Sequence, residues 1–242
     1  ALTADLDLNL DYQRLSNIHG GRYVLPNTSS EFQILLRNSS AWKAFYQRIC
    51  SQEFMEECME HLEMSDIEVE WQPYFSEHVV SKFFEKVDTL KHRRVGEMTL
   101  KGLLAFFAYR IFKHVYFFLF RCKRLFSQKL SMDILFDISQ AVNGYTREIH
   151  RDSDSRLIVF LLYLNEIDKT GVGGTLDLFN YCGKDYDDPD PQPNPKSCKL
   201  IKAIAPEKGK LVIFKNDNHA FHSVPEMSNF KGKRTFVMVR SL

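Results

Sequence analysis

Residues 156–165 read RLIVFLLYLN, and the architecture turns on them. Between Arg156 and Asn165 every side chain is apolar or aromatic. With no polar residue alternating through it, the run predicts a central β-strand covered on both faces. Such a strand needs sheet neighbours on either side and a layer of structure above and below.

The neighbours are present in the same half of the chain. Segments 132–138, 141–149, 174–180, 198–204, 209–215 and 233–240 carry strand-like apolar runs separated by turn residues. Residues 182–197, CGKDYDDPDPQPNPKS, are dense in Asp and Pro. Proline donates no ladder hydrogen bond, so this stretch predicts an exposed loop. Ahead of residue 130 the apolar period is mainly helical. Ser39-Ser40 precede AWKAFYQRICSQEFMEECMEHLEM, an N-cap signal followed by helical spacing, and SEHVVSKFFEKVD (76–88) reads as a second helix. The expected fold is α+β: an all-β sandwich or jelly-roll core over 131–242 with a helical N-terminal layer over 1–130.

A third helical candidate, 99–127, is aromatic-rich. Lys101, Arg110 and Lys113 interrupt it, which leaves no run of about 18 uncharged residues for a membrane span. A core helix with snorkelling basic ends is the expected reading, and contact with a membrane surface or a partner is the alternative.

Composition narrows the function classes. The 242 residues carry 32 basic and 31 acidic side chains, for a formal net charge of +1. So even a balance gives no global attraction to nucleic acid or an anionic membrane. The five cysteines are odd in number and form no CxxC pair, so neither a disulfide framework nor a zinc knuckle is indicated. The expected setting is reducing and cytoplasmic, since ALTADLDLNLDYQRL lacks the apolar core of a signal peptide.

The chemistry sits beside the central strand. His150-Arg151-Asp152 follows candidate 141–149, and residues two apart on an extended chain project to one side. His150 and Asp152 can therefore offer a nitrogen and an oxygen to one metal ion. NDNHAFHSV supplies a third ligand, His222, with His219 as a competitor three residues earlier. Two histidines and one carboxylate leave coordination positions open, the facial arrangement of non-haem iron(II) oxygenases. Alone, HxD is a common pattern. Its weight comes from the downstream order of GVGGTLDLF, PEKGKLVIFKN, HSV and KRTFVMV, the last of which places Arg234 where a guanidinium can clamp a carboxylate.

In this order, HRD (150–152), LLYLN (161–165), GGTLDLF (173–179), KGKLVIF (208–214), HSV (222–224) and KRTF (233–236) resemble the core of the iron(II)/2-oxoglutarate oxygenases, in particular the prolyl-4-hydroxylase-like branch. The resemblance covers about Ile134 to Leu242 and implies a double-stranded β-helix (jelly-roll) core there. It implies Fe(II), 2-oxoglutarate and O2 as cofactor and cosubstrates, with His150, Asp152 and His222 holding the iron. It further implies that Arg234 and Tyr163 hold the distal carboxylate of 2-oxoglutarate, and that Tyr145 lines the same pocket. Because Asp152 is a carboxylate and not a small residue, the resemblance also argues against halogenation. The implied reaction is hydroxylation of a C–H bond in a peptidyl-prolyl or small-molecule substrate, with succinate and CO2 as co-products. The alternative of another class is a non-catalytic jelly-roll protein that binds metal for structure or sensing. Arg147 and Arg151, which flank the ligands, read as solvated strand-end charges, with contact to an anionic group as the alternative; Arg240, a competitor of Arg234 on the same strand face, reads as a solvated residue.

Overall fold

A computed structural model of the chain describes residue 2 and residues 13–14, 20–73, 130–166, 170–187 and 189–241. The candidate helices at 76–88 and 99–127 lie outside the described residues, as does most of the N-terminal stretch.

The elements, in chain order, are β1 (Gln13–Arg14), β2 (Arg22–Pro26), α1 (Ser30–Asn38), α2 (Ser40–Ile49), α3 (Gln52–His61), β3 (Val69–Pro73), β4 (Leu130–Ala141), β5 (Arg147–His150), β6 (Ile158–Tyr163), β7 (Leu176–Tyr181), β8 (Cys198–Ile204), β9 (Leu211–Lys215), β10 (Phe221–Val224) and β11 (Arg234–Ser241). The eight strands β4 to β11 distribute over two antiparallel sheets. The larger has the order β1-β2-β4-β11-β6-β9, and the smaller β5-β10-β7-β8. This is the double-stranded β-helix arrangement.

The apolar strand β6 is covered on both faces. Its Ile158 and Phe160 join one apolar cluster with Phe32, Leu35, Trp42, Met55, Phe136 and Val237, where the helices pack on the larger sheet. Its Tyr163 joins a second cluster with Tyr145, Met227 and Phe236, between the sheets. Residues of β11 alternate in the same way: Val237 and Val239 go to the helical side, while Phe236 and Met238 go inward.

The N-terminal residues contribute strands as well as helices. β4 is long enough for its outer edge to serve two partners. β2 pairs antiparallel with its second half, from Arg22↔Ala141 to Pro26↔Asp137. β3 pairs parallel with its first half, from Val69↔Leu130 to Pro73↔Ile134. Helical periodicity concealed these strands, which are only five residues each.

Two other boundaries differ from the sequence expectation. The run after Ser39 is two helices, not one. The Ser51 side chain accepts from Phe54 N at 3.2 Å and starts α3 afresh, as Ser39 does for Trp42 N and α2. Candidate 141–149 is not one strand either. β4 ends at Ala141, a turn closed by Tyr145 N donating to Val142 O at 3.0 Å intervenes, and β5 begins at Arg147. Among the described residues, no helix is long and apolar enough to cross a membrane.

Candidate metal centre

β5 and β10 are adjacent in the smaller sheet, and their register sets His222 directly across from His150. β5 ends at His150, so Asp152 lies just beyond, where the chain leaves the sheet. The imidazole centroids are 4.3 Å apart. His150 Nε2 lies 3.9 Å from Asp152 Oδ1, and His222 Nε2 lies 4.0 Å from Asp152 Oδ2. One ligand atom from each of the three residues falls within 4.8 Å of the others, and all three are buried. His219 is not part of this group; its ring stacks on Tyr186 at 4.3 Å.

The surroundings orient the three ligands. Each histidine turns Nδ1 toward a backbone carbonyl two residues earlier, His150 to Glu148 at 2.8 Å and His222 to Ala220 at 2.9 Å. A donor at Nδ1 leaves the Nε2 lone pair for a metal, which is the usual way a protein fixes the tautomer of a ligating imidazole. Burial, with the neighbouring His222 and Arg147, pushes His150 down to about 3. Burial also lowers His222. Both rings are therefore neutral near pH 7, as metal ligation requires. Burial alone would raise Asp152, but Arg156 and the two histidines outweigh it and hold the carboxyl below its ordinary value.

Arg156 donates through Nη1 to Asp152 Oδ1. Oδ2 is buried and has no hydrogen-bond partner. A buried carboxylate oxygen without a donor is costly unless something positive meets it. Two neutral imidazole nitrogens and an orphaned carboxylate oxygen form a nitrogen–oxygen donor set suited to Fe(II).

A second group of side chains lies on the inner face of the larger sheet. Arg234 is 2% exposed, and Nη1 donates to the carbonyl of Gly174. Its guanidinium carbon sits 5.4 Å from the Tyr145 ring, 5.9 Å from Tyr163 and 5.0 Å from Phe236. Arg234 Nε and Tyr163 Oη are both buried without a hydrogen-bond partner. Among the described residues no carboxylate pairs with this guanidinium. Burial lowers its pKa, and burial raises that of Tyr163, which keeps the phenol protonated as a donor. Two unpartnered donors among aromatic rings suit one carboxylate, as 2-oxoglutarate would supply. The Gly173-Gly174 turn carries the carbonyl to which Arg234 donates. Gly173 has φ +80°, and a Cβ there would lie 2.0 Å from the carbonyl oxygen of Glu226.

All six residues singled out from the sequence lie in these two groups. Sequence reasoning missed the residues that hold them. Arg156 looked like the polar edge of a strand. Asn216 donates from Nδ2 to Ser153 O (2.9 Å) and Arg156 O (3.2 Å), which ties down the chain after Asp152. Arg151 is no solvated charge: it is buried and bonds Asp154 Oδ1 at 2.5 Å and Asn218 Oδ1 at 2.8 Å. Arg240 pairs with Asp137 across the sheet. The proline-rich loop is also anchored. Arg151 N donates to Pro191 O at 2.8 Å, and Asn218 Nδ2 donates to Asp187 O at 2.7 Å. Only the i to i+4 spacing of Asp152 and Arg156 hinted at any of this.

Comparison with known proteins bears on the same segment. A family model described as the 2OG-Fe(II) oxygenase superfamily matches residues 136–238. No curated protein matches the chain. Similar solved structures include prolyl 4-hydroxylases from Phytophthora capsici, at 19% identity and a TM-score of 0.32, covering 45% of this chain and 32% of that one. A prolyl-4-hydroxylase from Pseudomonas putida gives 21% identity and a TM-score of 0.29, covering 45% and 50%. An oxidoreductase of the 2OG-Fe(II) oxygenase family from Burkholderia pseudomallei gives 16% and 0.30, covering 46% and 44%. The match therefore spans half or less of each of these neighbours. The segment 136–238, which carries the two histidines, the aspartate and the buried arginine in order, is thus similar to the 2OG-Fe(II) oxygenase superfamily.

Proposed function

We propose that the protein is an Fe(II)- and 2-oxoglutarate-dependent dioxygenase that hydroxylates a C–H bond of a peptidyl-prolyl or small-molecule substrate. The observation that carries the reading is the presence of two unmet demands in one fold: an orphaned carboxylate oxygen on Asp152, grouped with two neutral histidines, and an orphaned guanidinium nitrogen on Arg234 beside an orphaned Tyr163 hydroxyl. A metal held for structure alone would explain the first and leave the second without purpose.

His150, Asp152 and His222 would hold the iron, and Arg234 with Tyr163 would hold the far carboxylate of 2-oxoglutarate. When bound, iron and 2-oxoglutarate supply the activation of O2, with oxidative decarboxylation to succinate and CO2 and transfer of one oxygen atom to the substrate. The protein's part is position and shielding. Arg156 fixes the Asp152 carboxylate through Oδ1 and leaves Oδ2 without a hydrogen bond, 4.0 Å from His222 Nε2. The carbonyls of Glu148 and Ala220 fix the imidazoles. Phe214, 5.1 Å from the His222 ring, with Tyr145 and Phe236 farther along, walls the site with apolar surface that excludes water. No acid–base pair is required of the chain.

The test is succinate release from 2-oxoglutarate by the iron-loaded protein on admitting oxygen, beside His222→Ala. Succinate from the wild type alone supports the reading. Absence of 2-oxoglutarate binding to the metal-loaded wild type rejects it.

A further inference from the structure

One buried cation on the inner face is not used by the oxygenase reading. Arg22 of β2 lies across from Ala141 of β4, and Ala141 is in turn the cross-strand partner of Arg234. Three adjacent strands thus set two arginines at one level of the sheet, with a single methyl group between them. Arg22 is 9% exposed. Its Nε and Nη2 donate to Ser139 Oγ at 3.3 and 2.9 Å, and Nη2 also reaches Met238 Sδ at 3.3 Å. The guanidinium carbon is 5.5 Å from the ring of Phe236, the ring that Arg234 also approaches.

Every one of these partners is neutral, and among the described residues no carboxylate meets Arg22. Buried charges are normally paired, because removal from water is costly without a counter-charge. An arginine that only covers apolar surface with its stem carries its head to solvent. Arg22 does neither. Its backbone is also fixed in place. Gly21, with φ +57°, presses on the turn that carries Tyr145, and a Cβ there would sit 3.0 Å from Val142 O, Asn143 O and Tyr145 N. The carbonyl of Gly21 accepts from Val142 N at 2.9 Å.

Position along the sheet says which ligand Arg22 serves. In the register of β4 with β11, Arg234 stands at Ala141, Phe236 at Ser139, Met238 at Asp137 and Arg240 at Leu135. The metal-facing group lies toward the Arg240 end: His222 packs on Phe214, which pairs with Val159, which pairs with Arg240. Arg22 starts at the level of Arg234, but its head reaches Ser139 and Met238, part of the way toward the metal ligands. Its charge is thus set between the cosubstrate anchor and the centre, on the β2–β4 flank.

Resting on the oxygenase reading, we propose that Arg22 is a substrate-recognition residue that receives a carboxylate of the primary substrate. The substrate class is then a compound that bears a carboxylate near the C–H bond to be oxidised. The other carboxylate that could reach this flank is that of 2-oxoglutarate itself, and the experiment separates the two.

The protein is loaded with Mn(II), and 2-oxoglutarate is titrated calorimetrically into wild type, R22Q and R22K. Hexanoate, benzoate and N-acetyl-L-proline, each beside its amide, are then titrated into the saturated complexes, with water-proton relaxation at the metal as a second readout. The expected result is an acid bound about tenfold or more tighter than its amide by the wild type. That preference falls to within about twofold in R22Q, is largely kept in R22K, and 2-oxoglutarate affinity is equal in all three. No preference for acid over amide in the wild type, or a preference that survives R22Q, overturns the proposal. Loss of 2-oxoglutarate affinity in R22Q without any acid preference assigns Arg22 to the cosubstrate and overturns the substrate assignment. If 2-oxoglutarate fails to bind the wild type, the oxygenase reading itself falls, and this proposal with it. R22K, which keeps the cation, and the unchanged 2-oxoglutarate titration guard against reading a folding defect as lost recognition.

Discussion

Arg156 grips Oδ1 of Asp152, which lies 3.9 Å from His150 Nε2, and leaves Oδ2 buried and bare, 4.0 Å from His222 Nε2. The salt bridge thus acts as a bracket: it turns a carboxylate that would otherwise rotate into a ligand with one available oxygen. Burial raises the Asp152 carboxyl, and Arg156 opposes that shift, favouring the ionised form that binds metal.

Replacing Arg156 with Gln should therefore weaken metal binding about 10–100-fold without removing any ligand. Equilibrium dialysis with Co(II) would show it, and the Co(II) spectrum should keep its two-histidine character. His222→Ala and Asp152→Ala should lose the metal outright. Affinity unchanged in R156Q would mean that the bracket is not needed.

The anion pocket makes a separable prediction. Arg234→Ala should cost roughly 2–5 kcal/mol of 2-oxoglutarate binding, about 30-fold or more, while Co(II) affinity stays near that of the wild type. Tyr163→Phe should cost about 1 kcal/mol, roughly fivefold. Arg240→Ala should leave 2-oxoglutarate binding unchanged, because Arg240 pairs with Asp137 at the other end of the strand. If Arg240→Ala gave the Arg234 phenotype, the β11 register would be wrong.

At Gly173 the backbone is left-handed and a Cβ would overlap the Glu226 carbonyl. Gly173→Ala should destabilise the fold by about 1–3 kcal/mol, lowering the melting temperature by roughly 2–10 °C. Since Gly174 supplies the carbonyl that orients Arg234, 2-oxoglutarate affinity should fall with it. Thermal unfolding and calorimetry on one preparation would test both. A variant that melts like the wild type would show that the turn relaxes freely.

The helical side of the larger sheet has its own pH dependence. Burial raises both the Cys50 thiol and the Tyr46 hydroxyl to about 12. Because the folded values lie above the unfolded ones, the stability these groups contribute is complete below about pH 9 and is lost as pH rises toward 12. Circular dichroism should follow an alkaline loss of structure across that window, shifted to higher pH in Cys50→Ala. At pH 8 the exposed Cys182 should react with a thiol reagent long before the buried Cys50 and Cys58. Fast labelling of Cys50 in the native protein would contradict its burial.

The chemistry and the central strand were legible in the sequence alone. The His-x-Asp spacing works because an extended chain repeats every two residues, and 156–165 reads as a doubly covered strand because nothing polar interrupts it. Strand parity likewise put Arg234 on the same inward face as Phe236 and Met238. These are local properties, readable wherever period and spacing suffice. Register between distant segments is not local, and only the folded chain settles it. Folding put His222 rather than His219 opposite His150, paired Arg240 with Asp137, and laid the proline-rich loop against Arg151 and Asn218. It also placed Arg22 beside Ala141, 119 positions away in a chain whose first half gave no sign of a strand there. Five residues of β2 carry too little periodicity to announce themselves. Only the unpaired edge of β4, formed from the far half of the sequence, gives their backbone groups partners and so settles where Arg22 points.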